Sequence, residues 1–81
     1  MRVIEEIQHP KYKIQILNYN SKYILKIELD QFEQLFKIAE LDVFGIEDIK
    51  KMITNELLEN SLDRFLSMRE DWLNAFNKKN N

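Results

Sequence analysis

From Asn55 to about Lys78 the chain reads as one long amphipathic helix, because Leu58, Leu62, Phe65, Leu66, Trp72, Leu73 and Phe76 recur at i, i+4, i+7 and i+8 spacing. A helix of that length constrains the rest of an 81-residue chain, since its apolar face needs a surface to cover it. At 1.5 Å per residue it is about 36 Å long, whereas the upstream strands, of about seven residues each, span roughly 24 Å. About a turn or two, carrying Trp72 and Phe76, is expected to project past any sheet the helix covers.

The covering sheet is written just upstream. Tyr12 to Asn18 alternates with Tyr12, Ile14 and Ile16 on one face, and Tyr23 to Leu29 does the same with Tyr23, Leu25, Ile27 and Leu29. Tyr19-Asn20-Ser21-Lys22 serves as a four-residue hairpin loop. Ile14 then faces Ile27, Ile16 faces Leu25 and Lys13 faces Glu28; a slip of one residue would turn the whole apolar set outward. Val3 to Gln8 is a weaker strand, set off by His9-Pro10-Lys11, where proline suits a turn.

Gln31 to Ala39 fits both periods. A strand places Phe32, Gln34, Phe36 and Ile38 together, while a helix places Phe32, Leu35, Phe36 and Ala39 together, with Asp30 and Glu33 as a capping box. Beyond Asp42 the period is helical. Asp42 or Gly45 can start a short helix, Glu47 and Asp48 suit its first turn, and Ile46, Ile49, Ile53 and Leu57 form its stripe. That stripe points elsewhere than the one from Leu58 to Phe76, so a break is expected near Thr54-Asn55, either of which can cap the second helix.

With these segments placed, the chain resembles a group of short bacterial proteins of unassigned function. The likeness lies in Ile4-Glu5-Glu6-Ile7 before His9-Pro10, in Lys22-Tyr23-Ile24, in Glu33-Gln34-Leu35-Phe36-Lys37-Ile38, and in Leu62-Asp63-Arg64-Phe65. It implies an antiparallel meander followed by helices, and so favours the strand over Gln31 to Ala39. Such proteins often carry glycine in the turn where this chain has Asp30-Gln31.

The expected fold is therefore α+β: a three- or four-stranded antiparallel meander, a short helix closing one edge, and a long C-terminal helix packed on the sheet. Residues 1–78 form one domain, with 79–81 a frayed polar tail. Such a domain buries only about 60% of its unfolded surface. Without cysteine it has neither disulfides nor thiolate metal sites to compensate, which favours a homo-oligomer or a protein partner. Acids interrupt the first apolar residues, so no signal peptide is expected, and no stretch approaches the roughly 20 apolar residues of a membrane span. A cytoplasmic protein is the expectation.

Motifs for catalysis are weak. His9 is the single imidazole and reads as a turn residue, with no nucleophile motif beside it. The start of a calcium loop at Glu40-x-Asp42 fails at Phe44 and at Lys51, where carboxylates are needed. One glycine excludes dinucleotide fingerprints and P-loops. Glu56, Glu59, Asp63 and Glu70 align as a solvated helix face. No enzyme activity, cofactor or metal is expected.

Two surfaces stand out. Residues 9–27 carry Lys11, Lys13, Lys22 and Lys26 and no acid, in a chain of net charge −2. Lys13, Tyr19, Lys22 and Lys26 share the outer face of the hairpin, which could track a nucleic-acid backbone. Leu17 and Ile24 on that face read instead as exposed aliphatics of a protein interface, or as a face half-covered by the first helix, and the acidic balance disfavours nucleic acid. The second surface is the helix end. Arg69 lies inside the apolar stripe, either stacked on Trp72 or paired across an interface. Phe65, Arg69, Trp72, Leu73 and Phe76 are the expected contacts of a non-catalytic, self-associating interaction module, and the nucleic-acid face is the alternative.

Overall fold

Four strands form in chain order: β1 (Arg2–Ile7), β2 (Lys13–Tyr19), β3 (Lys22–Leu29) and β4 (Phe32–Ala39). They pair antiparallel as one sheet in the order β1-β2-β3-β4, a meander. A 3-10 turn (Glu40–Asp42) leads to α1 (Ile46–Met52) and α2 (Asn55–Lys78). The computed structural model describes residues 2–79. The tail expected over 79–81 therefore lies, apart from Lys79, outside the described residues.

The β2–β3 register is the one the alternation dictates, with Lys13 opposite Glu28, Ile14 opposite Ile27 and Ile16 opposite Leu25. The loop is tighter than expected. Tyr19 and Lys22 still pair, leaving Asn20 and Ser21 as a two-residue turn with φ of 50° and 60°. Positive φ at both central positions is the type I′ geometry, whose twist matches that of the strands it joins.

Gln31 to Ala39 resolves as a strand from Phe32. Asp30 adopts φ 55°, a left-handed conformation that aspartate tolerates, so a turn of Asp30 and Gln31 suffices and Leu29 pairs with Phe32. Phe32, Phe36 and Ile38 then pack on the core, an arrangement that the helical alternative would have lost. β1 spans Arg2 to Ile7, with its register broken between Val3 and Glu5.

One face of this sheet carries the core. Tyr12, Ile14, Ile16, Leu25 and Ile27 are buried together with Ile49 of α1 and Phe65 of α2. α1 is tied to β1, where Lys50 Nζ lies 3.0 Å from a Glu5 carboxylate oxygen. α2 lies toward the other side: Gln34 Nε2 of β4 donates to the Ser61 carbonyl at 2.9 Å, and Tyr12 Oη donates to the Leu58 carbonyl at 3.3 Å. Between the helices, Thr54 accepts from the Leu57 amide through its hydroxyl and caps α2. Thr54→Ala should lower the unfolding free energy by about 1 kcal/mol, read as a lower urea midpoint with unchanged slope.

The face α2 buries differs from the stripe that sequence defines. Leu57, Leu58, Ser61, Leu62, Phe65 and Met68 turn toward the sheet, whereas Leu66 is 53% exposed. Ser61 is fully buried on that line and is small enough to let the helix approach β4. Arg64 completes the contact by donating from Nε to Gln34 Oε1 at 2.8 Å and from Nη2 to Ser61 Oγ at 3.0 Å.

Candidate functional site

Past Met68 every described residue of α2 is exposed, although the apolar spacing continues. Trp72, Leu73 and Phe76 remain about half exposed and make an apolar strip on the last three turns. The molecule extends 50 × 27 × 19 Å, while an eight-residue strand spans only about 26 Å. The helix therefore outruns its sheet, as its length requires.

Trp72 marks where sheet support ends. A cleft of about 470 Å³ separates it from Gln31 and Phe32 at the β3–β4 turn. Leu73 and Phe76 lie farther along the helix. Arg69 is exposed within the strip and, among the described residues, makes neither an ion pair nor the stacking on Trp72 considered above. The ring contact of this segment is instead Lys79 Nζ, 4.6 Å from the centroid of Phe76.

Phe65 must be removed from the expected contact set. It is only 2% exposed and stacks against Tyr12 at a centroid distance of 6.2 Å, so it belongs to the core and presents no surface to a partner. Sequence periodicity placed it with Trp72 because the same helix face is buried at one end and bare at the other.

The outer sheet face carries Lys13, Tyr19, Lys22 and Lys26 as expected, with Lys26 partly buried. β4 adds Lys37, which stands opposite Ile24 and could not be placed while that segment fitted two periods. Lys37, Lys22, Tyr19, Asn20 and Ile24 line a pocket of about 180 Å³. Leu17 and Ile24 are buried, contrary to the exposed aliphatics that sequence suggested. Both helices pack on the other face, so their cover comes from neighbouring side chains of the sheet itself, among them long lysine stems.

The turn before β2 is built around His9. Its Nδ1 accepts from the amides of Lys11 and Tyr12 at 3.1 and 3.3 Å, and its ring lies 5.0 Å from that of Tyr12. Burial, reinforced by the nearby Asp63 carboxylate, raises the Tyr12 phenol above its ordinary value near 10. The folded state thus favours the neutral phenol, so this contribution is complete below pH 10 and disappears as pH rises through the raised value. Stability should fall on alkaline titration above pH 10, and Tyr12→Phe should flatten that fall in urea melts. Glu56, Glu59, Asp63 and Glu70 are exposed along α2. Among the described residues no group of three His, Asp or Glu side chains could hold a metal ion, and no helix is long and apolar enough to cross a membrane.

No protein-family model, curated protein or solved structure matches this chain. The projecting strip of α2 is thus the candidate site on physical grounds, with the outer basic face second.

Proposed function

We propose that this chain is a non-catalytic interaction module that self-associates through the projecting end of α2. The observation that supports it is the strip of Trp72, Leu73 and Phe76, three large apolar side chains about half exposed on the helix end past Met68. A partner helix face would bury them, and aromatic anchors beside an arginine are the composition of interface hot spots. Arg69, bare in the single chain, would gain a ring or a carboxylate there. The lack of cysteine fits a reducing, intracellular setting.

Sedimentation equilibrium tests this reading. The apparent mass should rise with concentration from that of the 9.9 kDa chain toward twice that value. A single species of chain mass throughout the range would overturn it.

The outer face supports a second reading, because Lys37 joins Lys22 and Tyr19 around one pocket. Binding to single-stranded RNA that weakens steeply with salt would favour it, and no binding at low salt would remove it.

A further inference from the structure

The two edges of the sheet are unlike. β1 is interrupted by the irregularity between Val3 and Glu5, a device that spoils an edge for further pairing. β4 keeps an unbroken register over eight residues and contains no proline.

Pairing parity shows which groups this open edge presents. Leu29 and Phe32 flank a two-residue turn and so form a hydrogen-bonded pair, after which bonded and non-bonded pairs alternate. Phe32, Gln34, Phe36 and Ile38 therefore bond to β3. Glu33, Leu35 and Lys37 turn their N–H and C=O groups to the free edge, and all three residues are exposed, while Ala39 already caps the 3-10 turn that follows.

The side chains on this edge are self-complementary. Glu33 and Lys37 stand two residues to either side of Leu35 with opposite charge, and Glu33 already faces a like charge in Glu28. We infer that a second copy of this chain docks along β4, antiparallel, with the two-fold axis at Leu35. Glu33 of each copy then lies opposite Lys37 of the other, and the two Leu35 side chains meet at the centre. Across the joined sheet the charges read Lys13, Glu28, Glu33 and then Lys37 of the second copy, so the Glu28–Glu33 repulsion is offset from both sides.

The same axis supplies a seat for the projecting helix, so the inference rests on the self-association proposed above and gives it a geometry. α2 crosses the strands toward this edge: its Leu58 carbonyl meets Tyr12 beside β2, Ser61 and Arg64 meet Gln34 of β4, and Trp72 lies at the cleft beside Phe32. Antiparallel pairing sets the segment that follows β4 of the second copy at the Phe32 end of this chain's β4, and that segment carries Leu41 and Phe44. Leu41 and Phe44 are 99% and 102% exposed, with no cover in the single chain. The two-fold arrangement thus sets the open edge and the part of α2 at Trp72 on the same side of the axis as the segment of the second copy that carries these two side chains.

Cysteine cross-linking tests the register, since the chain has no cysteine of its own. Leu35→Cys places two thiols directly opposite each other at a hydrogen-bonded pair, with Cα atoms about 5.5 Å apart, a span that a short bis-thiol reagent bridges. It should form a covalent dimer with that reagent, whereas Lys37→Cys, which faces Glu33 of the other copy and lies about 14 Å from its own mate, should not. Lys37→Glu should weaken association about tenfold, and Glu33→Lys with Lys37→Glu should restore it. A concentration-dependent dimer that ignores these charge changes and leaves Leu35→Cys unlinked would overturn the β4 register while leaving association through α2 intact. A protein monomeric at all concentrations would overturn both.

Discussion

Phe65→Ala should remove about 3–5 kcal/mol of stability, the largest loss expected of any single truncation in α2. Phe65 is the large apolar residue of α2 in the buried core, stacked on Tyr12 and packed in the cluster that includes Ile14, Ile27 and Ile49. Truncating a buried phenylalanine costs about 3–5 kcal/mol, and a domain of this length holds only about 4–12 kcal/mol in total. A urea midpoint lowered in proportion to that loss is the expected reading. Leu66→Ala, one residue farther on and 53% exposed, should move the midpoint little. Equal losses from the two variants would mean that α2 packs in another rotation.

Trp72→Ala combined with Phe76→Ala should give the opposite result, a protein as stable as the parent and unable to associate. Both side chains are about half exposed beyond the sheet, so little intramolecular packing depends on them. If they anchor an interface, each contributes about 2 kcal/mol or more, roughly thirtyfold in dissociation constant. Sedimentation equilibrium reads the association and urea melting reads the fold. A destabilised but still associating variant would place these rings in the core and the contact elsewhere.

The contrast between Phe65 and Trp72 shows what the sequence could and could not reveal. Both lie on one helical stripe, and periodicity alone treats them alike. Their separation depends on where the sheet ends, a length that emerges only once β4 and the Asp30-Gln31 turn are placed. The β2–β3 register was legible because a slip of one residue inverts both faces. The period alone did not place β4, since Phe32 and Phe36 fit both readings while Ile38 supports only the strand and Leu35 and Ala39 only the helix, and with it went Lys37 and the open edge. Ser61 escaped notice because a polar residue interrupts an apolar stripe on paper, yet its small size is what lets α2 meet Gln34. Burial of Leu17 and Ile24 beneath the lysine stems of a twisted sheet has no signature in alternation, which marks them only as lying on the outer face.

Trp72 is the chain's single tryptophan, and it lies in the strip on which association is expected to turn. Its fluorescence therefore reports on that surface without a label. With rising protein concentration the emission should shift to shorter wavelength and iodide should quench it less, in step with the mass seen by sedimentation. Emission that keeps the wavelength and quenching of a half-exposed indole over the whole range would contradict an interface at the end of α2.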